Sequence, residues 1–273
     1  MKEIRKPAVA GTFYRADPDK LKEEIDLLLS ISRPSKIPED IIGLISPHAG
    51  YIYSGRTAAY AFNLVKDKPY KTVIIISPSH REYFPGISVY GGDAYETPLG
   101  IVPVNKEITD ALIDDSPIIF KGVQGHRQEH AVEVQLPFLQ SVLEDFSIVP
   151  VVMGDQSKMF IDELAERVKN IVDKNTLIVS SSDLSHFHSK DDAYEMDSVV
   201  EKRIMEFDFN RLRFELEEGI CEACGGGPIV AMMQAAFELN KRSSVILYRS
   251  DSGDTTGDNS EVVGYLSAAV YGG

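Results

Sequence analysis

Three histidines share one setting along this chain. IIGLIS (41–46) runs into Pro47-His48, TVIIIS (72–77) into Pro78-Ser79-His80, and TLIVSS (176–181) into Ser182-Asp183-Leu184-Ser185-His186. Each is an aliphatic run that ends in serine and then delivers an imidazole. Proline lacks a ladder donor and holds the residue before it extended, so Ser-Pro ends a strand cleanly and turns the chain outward. With only six histidines in 273 residues, three strand tips of this kind predict one shared centre. Imidazole is the commonest metal-binding side chain and the usual acid or base near neutral pH.

Two imidazoles and one anionic donor would leave coordination positions open for a substrate or oxygen. Asp183 and Cys224 are the candidates for the third donor, with Glu129 of RQEHAVEVQLPF a more distant one. Cys224 belongs to CEACGGGPI (221–229), where Cys221 and Cys224 make an isolated C-x-x-C. A structural zinc site needs four ligands, and no second cysteine pair exists. The run Gly225-Gly226-Gly227-Pro228 opens a helix, and a cysteine just before a helix start tends toward thiolate. The glycines allow close backbone approach, but neither nucleotide fingerprint is present, so phosphate binding is not expected there. A Cys221–Cys224 disulfide under oxidising conditions would remove Cys224 as a donor, a redox switch. His126 and His130 read as ordinary surface histidines of a polar loop and a helix start, and His188 as exposed. The Gly-Asp-Thr-Thr-Gly-Asp loop (253–258) lacks EF-hand spacing and reads as a hairpin connection.

The elements that must hold these residues alternate. Asp17-Pro18 starts a helix with Leu21, Ile25 and Leu28 on one face. Buried strands are expected at 41–46, 72–77, 147–152 and 176–181, and shorter strands at 87–90 and 99–104. Helices are expected at 54–66, 105–114, 131–145, 157–173, 190–206 and 227–239. Pro137 predicts a kink or a late start in the fourth of these seven helices. SSVILYRSD and EVVGYLSAAVY close the chain as paired strands. The alternation predicts a single α/β domain over residues 1–273, with a largely parallel central sheet and helices on both faces. In such sheets ligands bind beyond the carboxyl ends of the strands, where the three histidines fall.

The bulk properties narrow the function. A net charge of −14 argues against nucleic-acid binding, which needs a positive surface to displace counterions. No apolar run approaches the roughly 20 residues that span a bilayer, and the first residues lack the apolar stretch of a secretory signal. With two cysteines and no stapling framework, a reduced cytoplasmic protein is expected.

Together KPAVAGTFY, SPHAGYIYSG, SPSH, EHAVEVQLPFL, SSDLSHF and CGGGPI resemble the Memo family, also called AmmeMemoRadiSam system protein B, over nearly the whole length and in the family's order. The resemblance implies a fold similar to the class III extradiol ring-cleaving non-haem iron dioxygenases. It implies His48, His80 and Cys224 as metal ligands, His186 as the acid/base position with Asp183 beside it, and Tyr53 and Glu129 lining the pocket. It also implies radical-SAM system proteins as partners. The ring-cleaving dioxygenases use a carboxylate where this chain has Cys224, and a thiolate is softer and oxidisable.

Three functions follow as expectations. The first is a mononuclear metal protein with redox or oxygen-linked, dioxygenase-like chemistry. In it iron(II) or copper is favoured over zinc, and His186 with Asp183 moves protons near an unidentified small molecule. The second is a zinc-dependent hydrolase, with His186 or Glu129 as the base that activates water. The third is a module that binds a peptide or partner without turnover, through a cleft lined by Tyr51, Tyr53, Phe84 and Phe187.

Overall fold

The computed structural model describes residues 3–35 and 37–273. In chain order its elements are β1 (Ile4–Arg5), α1 (Pro18–Ile31), β2 (Ile41–Ser46), α2 (Tyr51–Asn63), β3 (Thr72–Pro78), β4 (Ile87–Tyr90), β5 (Ala94–Thr97), β6 (Gly100–Pro103), α3 (Lys106–Ile113), β7 (Ile119–Gly122), α4 (Leu136–Val142), β8 (Ser147–Met153), α5 (Lys158–Ile171), β9 (Thr176–Ser181), β10 (His186–His188), α6 (Lys190–Met205), α7 (Phe209–Glu217), α8 (Gly226–Glu238), β11 (Ser243–Asp251), α9 (Gly253–Thr256) and β12 (Val262–Tyr271).

The main sheet has the order β10-β12-β2-β9-β3-β8-β4-β7, with β11 also on β12. Its centre, β2-β9-β3-β8, is parallel, and antiparallel pairs flank it at β12-β2 and β8-β4. Alternate residues of β3 feed two cores. Val73 and Ile75 join Leu21, Phe62 and Phe138 from α1, α2 and α4, while Ile74 and Ile76 join residues of α5 to α8 such as Leu164, Ile204, Leu212 and Met232. Burial on both faces is why the central strands read as unbroken aliphatic runs. Gly43 of β2 lets α8 approach, because a β-carbon there would collide with the Met232 side chain. A second sheet, β1-β5-β6, packs the first described residues against the body.

Local chemistry explains where the expected elements sit. Asp17 caps α1, accepting from Lys20 N–H at 3.0 Å, and Pro18 takes the first helical position. α2 begins at Tyr51 rather than 54, because Gly50 serves as N-cap and Tyr51 N–H is satisfied by Phe13 O at 2.7 Å. The Pro137 helix starts late: Glu133–Gln135 form a 3-10 turn, and proline sits in the first turn of α4. The short strands β1, β5, β7 and β10 and helix α7 lie outside the expected elements. The 253–258 connection contains the one-turn α9, and its Asp254 pairs with Lys190.

The strand order has one consequence for chemistry. β2, β9 and β3 are neighbours and parallel, so the chain leaves all three at the same rim. His48, Asp183 and His80 follow their ends within five residues.

Candidate metal centre

His48 is fully enclosed, at 1% exposure. Its backbone N–H donates to Asp183 Oδ1 at 2.7 Å, its Nδ1 lies 2.8 Å from Ser181 Oγ, and its Nε2 lies 3.2 Å from Cys224 Sγ. Burial, then the neighbouring His80, holds its pKa well below the usual imidazole value, so the ring is neutral. His80 is anchored twice to one carboxylate: its N–H donates to Glu129 Oε2 at 2.6 Å, and its Nδ1 to Glu129 Oε1 at 2.9 Å. That leaves Nε2 as its remaining donor.

Cys224 reaches the rim from the turn just before α8. Its N–H donates to Asp183 O at 3.2 Å, and its sulfur accepts Asp183 N–H at 3.2 Å. Gly225 is required for this approach, since a β-carbon there would overlap Ser181 O and Ser182. One donor atom each from His48, His80 and Cys224 converge within 4.8 Å of one another. Bonds of roughly 2.0–2.3 Å to a common ion hold its N and S donors about 3–4 Å apart, and the 3.2 Å between His48 and Cys224 matches that spacing. Two imidazoles and one thiol with their other contacts met elsewhere fit a soft or borderline metal.

The thiolate expected of a cysteine just before a helix start is not favoured at Cys224. Burial, then the Asp183 carboxylate, pushes the Cys224 thiol well above its ordinary value, so a bound cation would have to displace the thiol proton. Nor do the glycines form an anion cradle. Gly225 N–H is taken by Ser182 Oγ at 2.9 Å, Gly226 N–H by Ala223 O at 3.0 Å, and Gly227 N–H by Gln156 Oε1 at 2.7 Å. Cys221 and Cys224 are both free thiols.

Glu129 is buried, and its two oxygens are occupied. Besides His80, Oε1 accepts the N–H groups of His130 at 2.9 Å and Ala131 at 3.0 Å. Burial works to raise its pKa, but the hydrogen bonds and charge of His80 outweigh this and bring it down to about 2. Asp183 differs: burial raises its pKa against the hydrogen bond from His48 N–H. His186 lies outside the three converging donors. Its Nδ1 donates to Leu184 O at 2.8 Å, and it helps line a cavity of about 450 Å³ that also touches Cys224 and is walled by Leu184, Leu216, Val230 and Gln156. Tyr53 stands in the first turn of α2, 41% exposed, at the border of the rim.

Two histidines expected at the surface are enclosed. His126, at 1% exposure, accepts from Tyr95 OH and donates to Ser88 O. His130 stacks on His80 with ring centroids 4.7 Å apart, meets His48 edge-on at 5.3 Å, and sets its buried Nδ1 3.3 Å from Glu129 Oε1. His130 is thus a member of the cluster that its position in a polar loop did not reveal. Its only signal was adjacency to Glu129. His188 is half-buried against Glu222 at 3.1 Å. The proposed aromatic cleft is incomplete, because Tyr51 is a core residue bonded to Val134 O and Phe84 is partly buried against Phe120, while Phe187 is exposed.

Underneath lies a polar support. Arg5 and Glu133 form a buried ion pair. Arg5 also donates to the carbonyls of His126 and Glu129, and Glu133 accepts from Ala8 N–H, Val9 N–H and Tyr14 OH. The first described strand is thereby tied to the loop that holds His80.

Residues 5–269 match the family model described as Memo-like protein. A MEMO1 family protein of Thermotoga neapolitana is 39% identical across 98% of this chain and 99% of its own length. The MEMO1 family protein TV1383 of Thermoplasma volcanium is 37% identical across 97% of each chain, and one from Methanobrevibacter smithii is 38% identical across 97% of this chain and 98% of its own. Among solved structures, the uncharacterized protein JW3007 of Escherichia coli K12 shares the fold, with a TM-score of 0.50 at 13% identity over 72% of this chain and 85% of that one. A match spanning nearly every residue, with relatives more than a third identical along their full length, establishes that the chain belongs to the Memo family.

Proposed function

We propose that this protein is a mononuclear metal protein in which His48, His80 and Cys224 hold one ion, with iron(II) or copper ahead of zinc. The observation that carries the reading is the convergence of their three donor atoms within 4.8 Å, each residue otherwise fixed by its own backbone or side-chain partners. When bound, such an ion supplies a Lewis acid and, for iron or copper, an electron carrier for redox or oxygen-linked chemistry.

The chain's own residues supply positioning and proton handling. Glu129, with both oxygens engaged, orients His80 rather than acting as a free base. Asp183 fixes the His48 backbone and the Cys224 sulfur from the tip of β9. His186, its Nδ1 held by Leu184 O, has Nε2 available to take or give a proton to a small molecule in the adjoining cavity, whose volume suits such a ligand.

The soft sulfur donor also suits zinc, and a zinc centre would favour hydrolysis over redox chemistry. Metal content per chain after anaerobic purification separates these readings. Near-stoichiometric iron or copper, lost in a His48→Ala/His80→Ala double variant, is expected. Zinc behaving the same way would move the assignment to a hydrolase. Absence of metal in both proteins after reconstitution would end the metal-centre reading.

A further inference from the structure

We propose that Ser181 is a positioning residue that fixes His48 as its Nδ1–H tautomer, with Gln135 filling the second Ser181 lone pair, so that the Nε2 lone pair faces Cys224. Pro47 O can only accept, and Gln135 Nε2 lies 3.0 Å from it. This sets the orientation of the Gln135 amide, and its second N–H then points at Ser181 Oγ, 2.8 Å away. The Ser181 hydroxyl spends its single proton on Ala131 O, also at 2.8 Å. One of its two lone pairs takes the Gln135 N–H, and the other faces His48 Nδ1 at 2.8 Å. Only an N–H at Nδ1 satisfies that contact. The opposite tautomer would set lone pair against lone pair, or turn the hydroxyl away from Ala131 O.

All of these groups are buried, so water cannot repair a mismatch. Nε2 is left unprotonated 3.2 Å from Cys224 Sγ, the state in which an imidazole can take a metal. The two histidines of the centre are therefore held in the same tautomer by different chemistry. His80 donates to a carboxylate, which makes its ring the stronger electron donor, whereas His48 donates to a neutral hydroxyl. The hydroxyl contact also links His48 to Ala131, next to His130, so one small network spans the tips of β2 and β9 and the 129–135 segment.

The consequence for metal affinity rests on the metal-centre reading, but the tautomer does not. The test correlates imidazole nitrogens with their protons by NMR in the metal-free protein, and measures affinity for cobalt(II) as the probe metal. The wild type is expected to carry its His48 proton on Nδ1. Ser181→Ala, which removes the acceptor, is expected to shift the population toward Nε2–H and to weaken cobalt(II) binding about 10–100-fold, the usual cost of losing such a partner. Gln135→Met leaves the Ser181 proton on Ala131 O and should keep Nδ1–H. Ser181→Thr keeps the hydroxyl and should restore both readouts. A wild-type ring protonated on Nε2, or a Ser181→Ala variant whose tautomer is unchanged, would overturn the proposal. A wild type with Nδ1–H that takes up no cobalt(II) would uphold it and sink the metal-centre reading instead.

Discussion

The sulfur of Cys224 stands 3.2 Å from Nε2 of His48, although 175 residues separate them along the chain. Cys221, three residues from Cys224, belongs instead to the apolar cluster under α8, where burial, then the charge of Glu215, pushes its thiol up to about 11. The two cysteines therefore separate cleanly by experiment. Cys224→Ser is expected to weaken cobalt(II) binding by more than about 100-fold, beyond the cost of losing an outer partner. Cys221→Ser should leave it within about threefold, since it removes no donor. Equal losses in a competition titration would show that the C-x-x-C acts as a pair.

Glu129 makes a different demand on the centre. Its carboxylate bonds His80 Nδ1, 2.9 Å away, and would bear on a bound ion through that ring. Glu129→Gln keeps the shape, and an amide oxygen in place of Oε1 can still accept from His80 Nδ1, His130 N–H and Ala131 N–H. But it removes the negative charge that strengthens the imidazole as a donor and sets an amide N–H against His80 N–H. About a tenfold loss of cobalt(II) affinity is expected, with little change in the fold. Unchanged affinity would mean that His80 needs no charged partner.

The buried Arg5–Glu133 pair holds the floor of the same loop. Arg5→Met strands a carboxylate inside the protein and takes a donor from the carbonyls of His126 and Glu129. Breaking one side of a buried pair costs about 3–5 kcal/mol, so urea denaturation should register a loss of that order. Adding Glu133→Gln removes the stranded charge and should recover part of it. A single-variant loss below about 1 kcal/mol would show that water or another cation reaches Glu133.

These contacts mark the boundary of what the sequence discloses. His48 and His80 were legible because each follows an aliphatic run closed by Ser-Pro, a local signal with a local cause. The parallel centre was legible for the same reason, as burial on both faces leaves a continuous apolar trace. His126, His130 and Arg5 were not legible. Their burial comes from partners more than 30 residues away, such as Tyr95 for His126 and Glu133 for Arg5, and no periodicity in a polar loop encodes such a meeting. The short strands β1, β5 and β10 also exist through pairing with distant partners rather than through their own propensity.

His126 gives the acid limb of stability a specific origin. In the folded protein its Nδ1 accepts from Tyr95 OH and its Nε2–H donates to Ser88 O, and burial brings its pKa from 6.5 down to about 3. The unfolded chain binds a proton there once the pH falls below about 6.5, whereas the folded chain does so only near 3. The unfolded state therefore holds the extra proton across that window. The stabilisation is fully present above pH 6.5 and is lost as pH falls toward 3, at up to about 1.4 kcal/mol per pH unit. His126→Gln can still meet one of the two partners and has no proton to gain. Its stability at neutral pH should fall, because one hydrogen bond is lost. Its decline between pH 6.5 and 4.5, followed by urea denaturation at a series of pH values, should be shallower than that of the wild type by about one proton's worth. Parallel slopes would mean that His126 is charged in the fold, or that acid unfolding is governed by the imidazoles of the metal centre alone.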